Sequence, residues 1–178
     1  YGNFTLAIGD GTFTVGTKFV EVSGSVRYIG EINGVEGEFT FDKQGKYAAT
    51  RLTGNYTTIT QAEAVVQGVY KALGVSAETI LISGAINNVE ALFTFTKEGK
   101  YANTRLSGAY KDIAAAENKV QQSTTALGVL SDTIIIDGAI ASVGAIFTFD
   151  KQGKYAGSND YKNTSFNIGW ESYNAAVK

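Results

Sequence analysis

Phe39-Thr-Phe-Asp-Lys-Gln-Gly-Lys-Tyr-Ala48 is written twice more in the chain. It returns as Phe93-Thr-Phe-Thr-Lys-Glu-Gly-Lys-Tyr-Ala102 and as Phe147-Thr-Phe-Asp-Lys-Gln-Gly-Lys-Tyr-Ala156. The copies align without a gap at a constant offset of 54 residues. A fixed period of this length marks a supersecondary unit laid down repeatedly, and it decides the fold before any single element is read. The likeness runs outward in both directions. Upstream, Gly30, Gly84 and Gly138 correspond, as do Ile32, Ile86 and Ile140, then Val35, Val89 and Val143. Downstream, Arg51-Leu52 matches Arg105-Leu106, Tyr56 matches Tyr110, and Ala72-Leu-Gly-Val75 matches Ala126-Leu-Gly-Val129. Glu63, Glu117 and Glu171 fall on the same period.

Each unit reads as three strands and a helix. The first strand is short and β-branched, as in Thr79-Ile-Leu-Ile82 and Thr133-Ile-Ile-Ile136, and a Gly follows it. The second alternates: Val89, Ala91, Phe93 and Phe95 point one way, and Glu90, Thr94 and Thr96 the other. A period of two gives one buried and one wetter face. Leu92 and Ile146 interrupt the polar face, so each is expected to be covered or to meet a neighbour. Lys97-Glu-Gly99 is expected to be a tight turn with the Gly in a left-handed conformation, and the third strand returns from Lys100 to about Tyr110.

The helix follows. Ile59, Ala62, Val66, Val69, Tyr70 and Leu73 lie three and four apart, as do Ile113, Ala116, Val120 and Leu127. That spacing predicts one apolar stripe of about four turns. Thr58 and Lys111-Asp112 supply capping oxygens at the start, and Gly74 and Gly128 supply left-handed caps at the end. The third unit departs from the pattern, with Asn159-Asp160 where Arg-Leu stood and a short last helix expected from about Gly169 to Ala176. Terminal repeats often differ because they meet no next unit.

The fold class is therefore α+β and β-dominated. Three tandem βββα repeats place antiparallel hairpins in an extended sheet with the helices on one face. The organisation is 1–24, an N-terminal hairpin and edge-strand region; 25–78, the first repeat; 79–132, the second; and 133–178, a shortened third, all in one structural domain. Within the first region, Phe4-Thr-Leu-Ala-Ile8 and Thr12-Phe-Thr-Val15 read as an extra hairpin, followed by a strand from Lys18 to Val22. Those strands could cap their own sheet or join a neighbour's.

Composition narrows the function. The hydrophobic share is 44%, which suits a folded core, and the net charge of −2 comes with no block of like charges. Neither nucleic acid nor an anionic membrane is drawn by such a balance. There is no Cys, His, Met or Pro. Without Cys there is no disulfide framework and no thiolate metal site, and without His the commonest general base and transition-metal ligand are missing. The chain begins at Tyr1 without a Met, and removal of a signal peptide is the simplest expected route. No run approaches the length of an apolar membrane span. Three Asn-X-Ser/Thr sequons, at Asn3, Asn55 and Asn163, are candidate glycosylation sites.

The candidate chemistry is weak throughout. Asp42-Lys-Gln-Gly-Lys46 and Asp150-Lys-Gln-Gly-Lys154 invite comparison with a calcium loop. They lack its alternating ligands and its closing Glu, and Thr96 replaces the Asp in the middle unit, so a hairpin turn is the better reading. Gly9-Asp-Gly-Thr12 and Ser158-Asn-Asp160 remain as oxygen-ligand loops for calcium; no other cofactor is indicated. Glu63, Glu117 and Glu171 recur by duplication and are expected to complement helix dipoles rather than to act as an acid–base pair. Lys46-Tyr47 with Arg51, and Lys100-Tyr101 with Arg105, interleave basic and aromatic residues as single-strand binders do. The RNA-recognition pattern is absent, so solvated strand faces with packed Tyr are expected. No phosphate loop, dinucleotide fingerprint or nucleophile elbow occurs.

These absences, with the repeat, point away from an enzyme. The expected function is an extracellular or cell-surface structural protein whose partner is itself, joined through sheet edges into a filament, tube, sheath or surface layer. No Pro guards any strand, and unguarded edges recruit further strands. The composition loosely resembles that of prokaryotic surface-layer, sheath and filament subunits, an analogy only. The alternatives are a secreted binding module (adhesin, lectin-like or inhibitor), with subunit-contact or ligand sites at the Tyr47, Tyr101 and Tyr155 hairpins, and a virion tail or decoration protein.

Overall fold

A computed structural model gives the fold and describes Thr5–Ile8, Gly11–Thr14, Phe19–Val22 and residues 25–159. The expected last helix, Asn3, Asn163, Asp160 and Glu171 lie outside the described residues.

The elements follow one another as β1 (Thr5–Ile8), β2 (Gly11–Thr14), β3 (Phe19–Val22), β4 (Ser25–Ile32), β5 (Val35–Asp42), β6 (Tyr47–Tyr56), α1 (Ile59–Leu73), β7 (Ile80–Ile86), β8 (Val89–Phe95), β9 (Tyr101–Tyr110), α2 (Ile113–Leu127), β10 (Ile134–Ile140), β11 (Val143–Phe149) and β12 (Tyr155–Asn159). β1 and β2 form a separate antiparallel pair, as expected. The nine strands β4 to β12, with β3 added at one edge, form a single mixed sheet in strict chain order. The fold is thus a β-dominated α+β architecture with two described helices.

Three kinds of connection build that order. The first strand of each unit turns into the second through two residues at positive φ: Asn33-Gly34 (51° and 82°), Asn87-Asn88 (46° and 66°) and Ala141-Ser142 (51° and 68°). Such turns match the twist of the strands they join. The first strand runs on through Gly84 and Gly138 to Ile86 and Ile140, beyond the Ile82 and Ile136 where the β-branched run suggests an end. The reason is cross-strand: Ala85 and Ile86 find partners in Glu90 and Val89, so pairing carries the strand past its glycine.

The second connection is the repeated Lys-Gln/Glu-Gly turn. Gly45, Gly99 and Gly153 lie at φ of 83°, 79° and 79°. Asp42 Oδ1 accepts the Gln44 and Lys46 N–H groups at 3.0 and 2.9 Å, and Asp150 Oδ1 accepts those of Gln152 and Lys154, both at 2.9 Å. In the middle copy Thr96 Oγ1 accepts the Lys100 N–H at 3.3 Å. These side chains hold the turn, in keeping with its reading as a hairpin.

The third connection is helical and joins parallel strands, β6 to β7 through α1 and β9 to β10 through α2. Thr58 Oγ1 accepts the Gln61 N–H at 3.1 Å, and Asp112 Oδ1 accepts the Ala115 N–H at 2.8 Å, so each helix starts on a side-chain cap. Gly74 and Gly128 end them at φ of 67° and 71°. Ala62, Val66, Val69 and Leu73 of α1 are buried, as are Ala116, Val120, Ser123 and Leu127 of α2. α1 packs on β5, β6 and β7, and α2 on β8, β9 and β10. Both faces enter one core with Phe39, Phe41, Ile80, Ile82, Phe93, Leu106, Ile134 and Ile136. Burying each such side chain contributes about 1.5–3 kcal/mol. Ser123 stands at the Val69 position and satisfies its hydroxyl on Lys119 O at 2.8 Å.

The opposite sheet face is more polar, with Arg51, Ser83, Glu90, Arg105 and Asp137 along it. The two interrupting apolar residues differ: Leu92 is half-buried and Ile146 is fully buried.

Candidate functional site: the unit junctions and the sheet edges

The junctions are where one unit is joined to the next, and the two share one pairing register. Thr50–Tyr56 of β6 pairs in parallel with Ile80–Ile86 of β7 over seven residues. Thr104–Tyr110 of β9 pairs with Ile134–Ile140 of β10, again over seven and shifted by the 54-residue period. At each junction two glycines lie side by side, Gly54 with Gly84 and Gly108 with Gly138. A Cβ on Gly84 would overlap the Gly54 carbonyl oxygen, and one on Gly138 would overlap that of Gly108. Only glycine allows so close an approach. The Asn87 N–H to Tyr56 O bond (2.8 Å) and the Ala141 N–H to Tyr110 O bond (2.9 Å) finish the two junctions alike.

Side chains repeat the same stitch. The Tyr47 hydroxyl lies 2.6 Å from Thr50 Oγ1 and accepts from Thr79 Oγ1 at 3.2 Å. The Tyr101 hydroxyl likewise lies 2.5 Å from Thr104 Oγ1 and is hydrogen-bonded to Thr133 Oγ1 at 3.0 Å. Thr79 and Thr133 end the 3-10 turns that enter the next unit, so each Tyr ties a hairpin to its successor. Burial pushes both phenols above their ordinary value near 10, and the threonine hydrogen bonds offset part of that rise. The Tyr47 and Tyr101 hydroxyls therefore point into the junctions, whereas Tyr155 is 37% exposed.

Glu63 and Glu117 have a role that the dipole reading misses. Neither is in the first turn of its helix, where α1 and α2 carry no acidic residue. Glu63 Oε2 accepts the Tyr101 N–H at 2.7 Å, and Glu117 Oε2 accepts the Tyr155 N–H at 2.8 Å. Gln67 Nε2 donates to Gly99 O at 3.2 Å, and Gln121 Nε2 to Gly153 O at 3.4 Å. Each helix thus grips the hairpin of the following unit through a carboxylate and an amide one turn apart. The sequence signal was the shared 54-residue period of Glu63 with Tyr101-bearing hairpins; the partner, 38 residues away, follows only from the topology.

The polar sheet face carries the charge. Arg51 Nε lies 3.9 Å from Glu38 Oε2, within the first unit. Arg105 pairs instead with Asp137, across the second junction, and is only 7% exposed. The expectation of solvated arginine faces is overturned here, because the strand partner brings a carboxylate onto the guanidinium. A groove of about 410 Å³ runs over this face, lined among others by Arg51, Ser83, Glu90, Leu92, Arg105 and Asp137. Asn55, the one candidate glycosylation site within the described residues, is exposed at its margin at the end of β6.

Among the described residues the sheet has β12 at one edge and β3 at the other. β3 pairs antiparallel with Ser25–Tyr28 only, leaving Ile29–Ile32 of β4 with no strand on that side among the described residues. Among the described residues no cluster of three acidic, His or Cys side chains could hold a metal ion, and no helix is long and apolar enough to cross a membrane. No family model, curated protein or solved structure matches this chain.

Proposed function

We propose that this chain is an extracellular structural protein that assembles with copies of itself through its sheet edges into a filament, tube, sheath or surface layer. The reading takes residues 25–178 as three copies of one βββα module with the helices on a common face, preceded by the strand region 1–24. The single observation that carries it is the open-ended junction. Two successive joins use the same parallel register, the same glycine contact and the same helix-to-hairpin grip. Among the described residues the pattern stops at β12, with no strand beyond it. A strand edge that continues such a pattern is a ready template for another chain, and a head-to-tail contact that does not close runs on as a polymer.

The absence of His, Cys and Met suits an inert, exported material, and the reading includes glycan attachment at Asn3, Asn55 or Asn163 and no catalytic role. Electron microscopy with analytical ultracentrifugation of the purified chain tests it. Ordered polymers growing with concentration are expected; a monodisperse monomer at high concentration with no ordered polymer rejects it. The groove over Arg51, Arg105 and Asp137 favours one alternative, a secreted binding module, which a glycan and surface array would reveal as saturable binding lost on Asp137→Ala.

A further inference from the structure

The geometry points to a polarity and a gate for that assembly: the outer edge of β4 is the acceptor, β12 of a second copy is the donor, and β3 is an internal plug that must leave first. This inference rests on the self-assembly reading and specifies its contact.

β4 and β12 hold places equivalent to those that meet at the internal junctions. At both internal junctions the first strand of a unit, β7 or β10, receives the third strand of the unit before it, β6 or β9. β4 is the first strand of the first unit, and Val26–Ile32 is the stretch equivalent to Ile80–Ile86 and Ile134–Ile140. β12 is the third strand of the last unit. Ser158 and Asn159 hold the places of Thr50-Arg51 and Thr104-Arg105, so the internal register sets Ser158 against Val26 and Asn159 against Arg27 of the next copy.

The slot on β4 is occupied, but poorly. β3 covers Ser25–Tyr28 with four antiparallel pairs, where the internal junctions use seven parallel ones. Ile29, in the half that β3 does not pair, is 54% exposed, whereas its equivalents Ser83 and Asp137 are half-buried and paired with Thr53 and Ser107 of the neighbouring strand. The hairpin of the first unit carries the rest of the acceptor. Tyr47 stands where Tyr101 and Tyr155 are gripped by Glu63 and Glu117, and among the described residues no helix precedes it. Glu171 is the third glutamate of that series in sequence. A strand from another chain taking the place of an internal one is strand addition with exchange, and β3 keeps the chain monomeric until it yields.

The chain contains no cysteine, so disulfides report the register directly. Two full-length variants share one substitution. In R27C/V20C the pair Val20 and Arg27, opposite each other on β3 and β4, becomes a staple holding the plug in place. In R27C/N159C the same position is placed to bond to the donor strand of another copy. Oxidised R27C/V20C is expected to lose polymerisation and to regain it on reduction. Oxidised R27C/N159C is expected to give a reducible ladder well beyond the dimers of the single variants. In a mixture of 14N- and 15N-labelled chains, mass spectrometry should find the 27–159 link between chains. If wild-type polymers form, but the staple leaves them unchanged and the 27–159 link is absent, the gate and polarity are wrong while the self-assembly reading stands. If the wild-type chain forms no polymer, both fall.

Discussion

The two junctions share a backbone and differ in their charges. At the first, Arg51 meets Glu38 of its own unit, with both side chains about a quarter exposed, and Ser83 stands across the junction. At the second, Leu92 occupies the Glu38 place and Asp137 the Ser83 place, and Arg105 meets that Asp beneath the surface. The carboxylate has moved from inside the unit to across the join while the arginine has stayed put. In the third unit Ile146 and Asn159 hold the two places, and neither is charged. The lesson is that the repeat conserves the condition of charge satisfaction rather than the residues that meet it. A guanidinium taken out of water needs a counter-charge, and two different neighbouring strands can supply one.

The largest effect should be common to both junctions, because it comes from the backbone. Gly84→Ala and Gly138→Ala each push a methyl into a carbonyl oxygen of the facing strand. Overpacking against backbone that cannot rotate away should cost about 3 kcal/mol or more at either site. Urea unfolding of the two variants measures it. Costs that differ by more than about 1 kcal/mol would mean that the joins are not equivalent in energy.

The charge pairs should separate them. Asp137→Ala leaves Arg105 buried without its carboxylate and should cost about 3 kcal/mol. Glu38→Ala removes a longer, more exposed contact and should cost no more than about 1 kcal/mol. The decisive variant moves the first junction's chemistry into the second. Leu92→Glu with Asp137→Ser should recover more than half of the loss seen in Asp137→Ser alone, since Leu92 lies directly opposite Arg105. No recovery would show that Arg105 depends on more than a nearby carboxylate.

A subtler contrast lies in the turns beside the joins. Asn87 donates its side-chain amide to Ala126 O at 2.8 Å, as Asn33 does to Ala72 O at 3.1 Å, clamping each turn to the end of its own helix. Ala141 has no such group, yet it and Ser142 hold the same left-handed angles. A non-glycine residue there costs about 1–2 kcal/mol, less for Asn, whose short polar side chain tolerates it. Ala141→Asn with Ser142→Gly should therefore raise the unfolding midpoint, by about 1 kcal/mol in stability. Asn87→Ala should lower it by about as much or slightly more, through the lost bond to Ala126 O. An unchanged midpoint in the first variant would show that the third unit already compensates for its turn.

How much of this could be read in advance follows the range of the interactions. The Lys-Gln-Gly turns, the caps at Thr58, Asp112, Gly74 and Gly128, and the helical stripes were legible because their chemistry is complete within a few residues. The parallel joins were not, since nothing local in Thr50–Tyr56 names Ile80–Ile86 as its partner. The grip of Glu63 on Tyr101 was equally hidden, and so the glutamates looked like dipole partners. One signal was available. Aligning the units sets Glu38 against Leu92 and Ser83 against Asp137, a loss and a gain of carboxylate flanking an unchanged arginine. Read together, those two substitutions place β5, β6 and β7 side by side around one guanidinium. Ile146, apolar on the polar face and fully buried, gave notice that this face is not simply wet.

The smallest expected difference concerns alkaline pH, where the junctions should again agree. Tyr47 and Tyr101 are each held protonated by burial, so their folded pKa values lie above the ordinary value near 10 that they regain on unfolding. Below that value both states keep the proton and stability does not change with pH on their account. Above it the unfolded chain ionises first, and the stabilisation is lost as pH rises towards the folded values. The unfolding midpoint should be flat to about pH 9 and fall beyond about pH 10. Tyr47→Phe or Tyr101→Phe should make the fall shallower by similar amounts. At neutral pH each should cost only about 0.5–1.5 kcal/mol, the net worth of a hydroxyl hydrogen bond. Tyr56 and Tyr110, also raised by burial, should leave a residual slope in a variant that carries both Tyr47→Phe and Tyr101→Phe. Were Tyr101→Phe to flatten the profile and Tyr47→Phe not, the buried charge pair beside the second junction would be the natural cause. The Leu92→Glu with Asp137→Ser background would then test that cause directly.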